Sequence, residues 1–172
     1  IINAAAYTNV DACETNEQLA TKVNGQAVGY LAEAAAKINA TLVHYSTDYV
    51  FDGSKKEGYK EDDEPNPINA YGRSKLVGEQ AILSLRGDLY SGRRGNPNAS
   101  AIDSGIASLG STLARNDNWY IIRTAWLYGK DGKNFVETML SLAERGQPLK
   151  VIDDQIGSPT YAVDLAQATR EL

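Results

Sequence analysis

The fold class follows from residues 41–51, which read Thr41-Leu42-Val43-His44-Tyr45-Ser46-Thr47-Asp48-Tyr49-Val50-Phe51. The first half is short, apolar and β-branched, which predicts a strand buried in a parallel sheet. The strand ends in two hydroxyls and a carboxylate, those of Ser46, Thr47 and Asp48. Ligands of open α/β sheets bind at the carboxyl ends of the strands, so these polar side chains lie where chemistry is expected.

A second segment, Asn69-Ala70-Tyr71-Gly72-Arg73-Ser74-Lys75, follows turn-rich residues and predicts a helix. Because Tyr71 and Lys75 are four positions apart, a helix places the phenol and the ammonium on one face. The pKa of tyrosine is about 10, and a cation nearby stabilises the phenolate. We therefore expect Lys75 to lower the pKa of Tyr71, which would suit the pair to proton transfer at a carbonyl.

The composition is typical of one soluble globular domain or part of one. The 172 residues are 42% apolar and 23% charged, which is enough for one sizeable core. No segment reads as a membrane span or secretory signal. The net charge of -5, without a basic stripe, argues against a nucleic-acid partner.

The lone cysteine and the lone histidine are both interpreted as structural residues. Cys13 excludes an internal disulfide, and we expect it to be packed rather than catalytic. His44 has no second histidine to share a metal with and lies inside the predicted strand. We therefore expect its ring to be satisfied within the fold, and we predict no metal site.

Apolar periodicity predicts most of the remaining elements. Ile1-Ile2-Asn3 reads as a buried strand, and residues 14–39 as one or two helices broken near Gly25. A third strand is expected over 119–124. An amphipathic helix over 134–145 should stop at Gly146, and a last helix should begin at Ala162.

Five blocks of sequence together resemble one known family. They are residues 2–11, 46–53, 71–79, 123–129 and 154–160, which read INAAAYTNVD, STDYVFDG, YGRSKLVGE, RTAWLYG and DQIGSPT. The chain resembles the extended short-chain dehydrogenases/reductases and, within them, the dTDP-4-dehydrorhamnose reductase family. The blocks occur in the family's order across nearly the whole chain, which makes them more specific together than singly.

The resemblance implies an α/β fold with a Rossmann-like, doubly wound parallel sheet. Residues 1–150 would be a partial dinucleotide-binding domain, and 151–172 the start of a small substrate-binding region. No Gly-x-Gly-x-x-Gly turn is present. We therefore expect this sequence to be N-terminally truncated, without the family's Gly-rich βα units, and to stop before the family's C-terminal end. By resemblance, residues 151–152 would form a short strand, followed by a loop over the substrate.

Residues 86–118 depart from the family pattern and predict an insertion. We expect a loop over 86–97. Spacings of four, three and four among Ile102, Ile106, Leu109 and Leu113 then predict a short amphipathic helix. In relatives, the helix that precedes this segment commonly lies at the dimer contact. Because an insertion directly after that helix could change the contact, a homodimer stays only a possibility.

The resemblance implies NADPH or NADH as cofactor. Ala6, Tyr7 and Thr8, after the first strand, would bind it together with Tyr71 and Lys75. In the same scheme Lys75 both lowers the cost of the phenolate and holds the cofactor ribose.

Thr47, Tyr71 and Lys75 are the implied catalytic residues. Tyr71 would donate a proton to the reduced ketone oxygen, and Thr47 would hydrogen-bond that oxygen from the opposite side. Thr47, Asp48 and Trp126 would bind the substrate, a dTDP-linked sugar.

The implied activity is that of a cytoplasmic oxidoreductase that reduces the C4 ketone of dTDP-4-dehydrorhamnose to give dTDP-L-rhamnose. A sugar-nucleotide epimerase or 4,6-dehydratase of the same superfamily is an alternative. Dehydrating relatives have Asp-Glu after the strand-end threonine, whereas this chain has Asp48-Tyr49, which favours reduction. A non-catalytic role also stays open, since one relative is a regulatory subunit of methionine adenosyltransferase.

Overall fold

The computed structural model describes residues 1–90, 113–116 and 119–172, with backbone alone for 86–90 and 113–116. The helices are α1 Val10–Thr15, α2 Glu17–Thr21, α3 Ala27–Lys37, α4 Ala70–Tyr90, α5 Phe135–Glu144 and α6 Ala162–Arg170. The strands are β1 Ile2–Asn3, β2 Leu42–Thr47, β3 Leu113–Asn116, β4 Trp119–Thr124, β5 Leu127–Tyr128 and β6 Thr160–Tyr161. A π-helical turn, Lys22–Gln26, joins α2 to α3, and a 3-10 turn, Asp48–Val50, follows β2.

The described residues fall into two compact units, one up to Arg123 and one over Thr124–Leu172. The first contains a sheet with strand order β1-β2-β4-β3. β1 and β2 are parallel, with Asn3 opposite His44, whereas β3 runs antiparallel to β4. This arrangement, and the solved structures described below, confirm the predicted Rossmann-like α/β fold.

One face of this sheet is covered by α3 and α4. On α3, Val28, Ala32 and Ala35 recur at helical spacing and face the core. They pack with Ile82 of α4 and with β2 and β4, where Leu42, Trp119 and Ile121 complete the cluster. β2 itself is buried at all but one position, as expected of an interior strand.

Helix α4 approaches its neighbours closely because glycines line the contact. A Cβ placed on Gly78 would overlap the backbone carbonyl of Asn24, and one on Gly72 would overlap that of Tyr49. Helix backbone therefore lies directly against the π-helical turn and the 3-10 turn. These contacts fix the rotation and height of α4 relative to the end of β2.

The second unit is built on a short parallel pair, β5 with β6, in which Leu127 is opposite Thr160. Its helix α5 is capped at the N-terminus by Asn134, whose side chain accepts a hydrogen bond from the Glu137 amide at 3.0 Å. The helix ends before Gly146, which has a left-handed φ of 64°. The amphipathic helix predicted over 134–145 and its glycine stop are therefore confirmed.

Other predicted elements are also found. The strands at 41–47 and 119–124, the helix with Tyr71 and the helix from Ala162 are confirmed. The expected break near Gly25 is the π-helical turn, and the helical region begins at Val10 rather than at 14.

Four expectations about the fold were wrong. The strand expected at Ile1-Ile2-Asn3 is found as β1 but is buried only at Asn3, since Ile1 and Ile2 lie at the surface. Residues 86–90, predicted as loop, continue α4, because an established helix extends at little cost even through Gly87. Leu113, predicted on a helix, lies in β3 opposite Ile122, so strand pairing overrides its local pattern. Residues 151–152 form no strand and are largely exposed. The predicted residues Ile102, Ile106 and Leu109 lie outside the described residues.

The close contact at Gly78 leads to a stability prediction. Gly78→Ala should lower the free energy of unfolding by about 1–3 kcal/mol, because the added methyl meets fixed backbone and outweighs the gain in helix propensity. Thermal or urea unfolding measures the change. Gln80→Ala, two positions on and exposed, is the control and should change stability by less than about 0.5 kcal/mol. Equal effects of the two substitutions would contradict the packing described here.

Candidate active site

Tyr71 is held at the end of β2. Its phenol shares a hydrogen bond with the hydroxyl of Thr47, the last residue of that strand. Burial raises the pKa of Tyr71 to about 12, with smaller increases from Asp48, Cys13 and Tyr49 and a decrease from Thr47. Tyr71 is therefore a neutral phenol at physiological pH, with a proton to donate.

Lys75 lies one turn further along α4 and is 2% exposed. Its ammonium donates to the carbonyl oxygen of Tyr45 at 2.6 Å. Burial lowers the pKa of Lys75 to about 8, while the nearby carboxylate of Glu79 raises it. The expectation that Lys75 lowers the pKa of Tyr71 is not met in this structure, because the dominant effect on Tyr71 is burial.

Asp48 and Tyr49 complete the surroundings of Tyr71. The Thr47 hydroxyl donates to Asp48 Oδ1 and accepts from the Tyr49 amide, both at 3.2 Å, which fixes the 3-10 turn. Burial raises the pKa of Asp48. The ring of Tyr49 meets that of Tyr71 edge to face, 5.9 Å between centroids. Tyr49 thus contacts the predicted proton donor, a contact that the sequence pattern did not predict.

The loop predicted to bind cofactor, residues 6–8, is tied to α4 by Asn24. The Tyr7 amide donates to Asn24 Oδ1 at 2.7 Å. The Asn24 Nδ2 group donates hydrogen bonds to the Tyr7 carbonyl oxygen at 3.0 Å and to Ser74 Oγ at 2.9 Å. Asn24 is fully buried in the π-helical turn, a distortion often found at functional sites. Asn24 is not among the site residues predicted from the sequence, although the predicted helix break at Gly25 was a signal.

An apolar contact joins the same loop to the helix. Cys13 is fully buried, and both Tyr7 and Tyr71 pack on the small cluster it belongs to. Burial raises the pKa of the Cys13 thiol, so the thiolate needed for nucleophilic chemistry is disfavoured. Cys13 is packed, as predicted, and Tyr7 and Tyr71 share one neighbourhood.

His44 is neutral. Its Nδ1 lies 3.1 Å from Asn3 Nδ2, a donor, and burial lowers its pKa to about 3, with a further decrease from Lys75. Nε2 is buried and has no hydrogen-bond partner within the described part of the chain. The predicted satisfied histidine is therefore confirmed at one ring nitrogen only.

Trp126 belongs to the second unit. It is 47% exposed and has a left-handed φ of 44°, which is uncommon for a bulky residue. Gly157 lies against its indole, where a Cβ would come within 3.0 Å of the ring. The predicted role of Trp126 in substrate binding stays a prediction.

The described ranges contain no cluster of three or more histidine, cysteine, aspartate or glutamate side chains suited to a metal ion. Within the same ranges, every helix is too short or too polar to cross a bilayer.

Comparisons with known proteins agree with one another. A model of the RmlD substrate binding domain family matches residues 1–93 and 107–172. The chain is 41% identical over 169 residues to a dTDP-4-dehydrorhamnose reductase of Burkholderia thailandensis, covering 98% of this chain and 47% of that protein. It is 42% identical to the spore coat polysaccharide biosynthesis protein SpsK of Bacillus subtilis, covering all of this chain and 50% of SpsK.

A solved structure is similarly close. The dTDP-4-dehydrorhamnose reductase of Bacillus anthracis, in complex with NADP, has a TM-score of 0.79 and 39% identity, covering 99% of this chain and 50% of that one. The chain thus spans about half the length of the relatives it matches.

The Asn24 contacts generate a prediction about the loop. Asn24→Ala removes both side-chain partners of the Tyr7 backbone, which should destabilise the loop by about 1–3 kcal/mol. Exchange of the Tyr7 amide with solvent should therefore quicken about 10-fold to 100-fold. Hydrogen exchange followed by NMR or mass spectrometry measures this. Gln26→Ala, exposed in the same turn, should leave Tyr7 protected. Unchanged protection in Asn24→Ala would show that the side chain does not hold the loop.

Proposed function

The chain belongs to the RmlD substrate binding domain family, and from that membership we propose that the whole protein reduces dTDP-4-dehydrorhamnose to dTDP-L-rhamnose. The observation that supports this most is a neutral Tyr71, hydrogen-bonded to Thr47 at the carboxyl end of β2. Reduction of a ketone needs a proton for the oxygen as well as a hydride for the carbon. Tyr71 is that proton source.

The proposed cofactor is NADPH or NADH, which supplies the hydride when bound. The donor chemistry of the site fits it. The Lys75 ammonium has three N–H bonds, of which the Tyr45 carbonyl takes one, and the others suit the hydroxyls of a ribose. Ala6, Tyr7 and Thr8 would line the cofactor on the side fixed by Asn24. The NADP in the Bacillus anthracis relative supports this proposal.

In the proposed reaction, Thr47 and Tyr71 bind the substrate ketone oxygen from two sides. As negative charge develops on that oxygen, Tyr71 transfers its proton and becomes a phenolate. Burial holds the proton on Tyr71 in the ligand-free site. The proposed reaction therefore has the Lys75 ammonium stabilise the phenolate only once cofactor and substrate are bound. Asp48, with its pKa raised by burial, and Trp126 would orient the sugar nucleotide.

Reduction is favoured over dehydration by the surroundings of Tyr71. Dehydrating relatives have a glutamate two positions after the strand-end threonine, where it can take a second proton. Here that position is Tyr49, whose ring packs edge to face with that of Tyr71. A non-catalytic role would leave the retained set of Thr47, Tyr71 and Lys75 without a use. The predicted homodimer and cytoplasmic location stay predictions.

An assay with the whole protein tests the proposal. Given a reduced nicotinamide and a dTDP-4-keto-6-deoxyhexose, it should consume one reductant for each sugar reduced. Tyr71→Phe keeps the ring but loses the proton, so the rate should fall about 100-fold to 10,000-fold while cofactor binding changes little. Absorbance of the reduced nicotinamide and chromatography of the sugar nucleotide give the two readouts.

Two outcomes would contradict the proposal. Dehydration of a dTDP-hexose without net use of reductant would assign the protein to the rival class. A loss below tenfold in Tyr71→Phe would remove Tyr71 from the reaction.

A further inference from the structure

A charged cluster without an assigned role lies behind the candidate site. Glu79, one turn beyond Lys75 on α4, is 1% exposed. Arg123 of β4 donates two hydrogen bonds to its carboxylate, from Nε to Oε1 at 3.0 Å and from Nη2 to Oε2 at 2.6 Å. The Ser46 hydroxyl of β2 donates to Oε1 at 2.5 Å. Three elements of the first unit therefore meet at one buried carboxylate.

The contact between Ser46 and Glu79 is one of three contacts between the end of β2 and helix α4. Residues 45–47 are consecutive at the end of β2, and they bind Lys75, Glu79 and Tyr71, in that order. The three helix residues are spaced by four, so they share one face of α4. A shift of the helix by one residue would break all three contacts together.

We propose that Glu79 is a positioning residue for the reaction: its carboxylate, held by Arg123 and Ser46, fixes Tyr71 and Lys75 against the strand end and keeps Lys75 charged. This inference rests on the proposed function. It assigns to Glu79 no contact with substrate or cofactor.

The charges around Lys75 support this role. Glu79 raises the pKa of Lys75 against the lowering effect of burial. His44, on β2, is neutral, and Tyr71, on the same helix, is a neutral phenol. Arg123, on β4, is already paired with Glu79. The Glu79 carboxylate is therefore the charge that favours the ammonium.

A purely structural role is the rival explanation, because removing one partner of a buried ion pair destabilises most proteins. The two roles separate in a double variant. Replacing both partners with apolar residues of similar volume often restores stability. It does not restore a negative charge beside Lys75.

The experiment compares Glu79→Gln, the double variant Glu79→Leu with Arg123→Met, and the control Glu17→Gln. The control breaks an ion pair to the same helix, Glu17 with Arg73 at 2.7 Å, but an exposed one. Each whole protein is examined without ligands by NMR of its labelled lysine side chains, to follow the titration of Lys75. The pH profile of ketone reduction and the thermal midpoint are measured alongside.

We expect Lys75 to lose its proton about one pH unit or more lower in Glu79→Gln and in the double variant. The alkaline limb of the rate profile should move down by the same amount, because the ammonium is needed. The double variant should recover the thermal midpoint but not the titration, and Glu17→Gln should match the parent protein in both. If Glu79→Gln does not fold, the double variant alone decides.

Wild-type titration of Lys75 in a folded variant that lacks the Glu79 carboxylate would overturn the inference. Absence of reduction in the parent protein would instead overturn the proposed function. The NMR titration without ligands would still decide the role of Glu79.

Discussion

The hydrogen bonds between the end of β2 and one face of α4 are the contacts on which the site depends. Three consecutive strand residues, 45–47, hold a lysine, a glutamate and a tyrosine of the helix. Strand side chains alternate between faces, so the Ser46 contact with Glu79 and the Thr47 contact with Tyr71 come from different sides of the strand. The contact with Lys75 uses the backbone carbonyl of Tyr45. Together they define the helix position along and around its axis.

This arrangement requires ionisable groups to be buried, which is costly unless they are paired. Glu79 and Arg123 form a two-point pair through Nε and Nη2, while Nη1 is buried without a hydrogen-bond partner among the described residues. The guanidinium also lies over the Phe51 ring at 4.9 Å. The Lys75 ammonium is hydrogen-bonded to the Tyr45 carbonyl and is favoured by the nearby Glu79 carboxylate. The glycines at 72 and 78 make such distances possible, because they bring the helix backbone against two turns. Packing and electrostatics therefore depend on the same few residues.

Much of this could be predicted from the sequence, for local reasons. The apolar run that ends in hydroxyls identified β2, and the spacing of Tyr71 and Lys75 placed both on one helix. Asn24 and Glu79 could not be assigned roles, since their partners, Tyr7 and Arg123, are 17 and 44 residues away. The expected lowering of the Tyr71 pKa was wrong because spacing shows which side chains are neighbours but not how deeply they are buried. Leu113 was misplaced because its strand exists only through pairing with β4.

The proposed function depends on Tyr71 being a neutral, partly buried phenol held by Thr47, ready to donate a proton. Titration of the Tyr71 ring carbon that bears the hydroxyl, by NMR of the ligand-free protein with labelled tyrosine, tests it most directly. We expect a pKa of about 12 that rises further in Thr47→Val, because the hydrogen bond that lowers it is lost. A pKa at or below the ordinary tyrosine value of about 10, or no response to Thr47→Val, would contradict it.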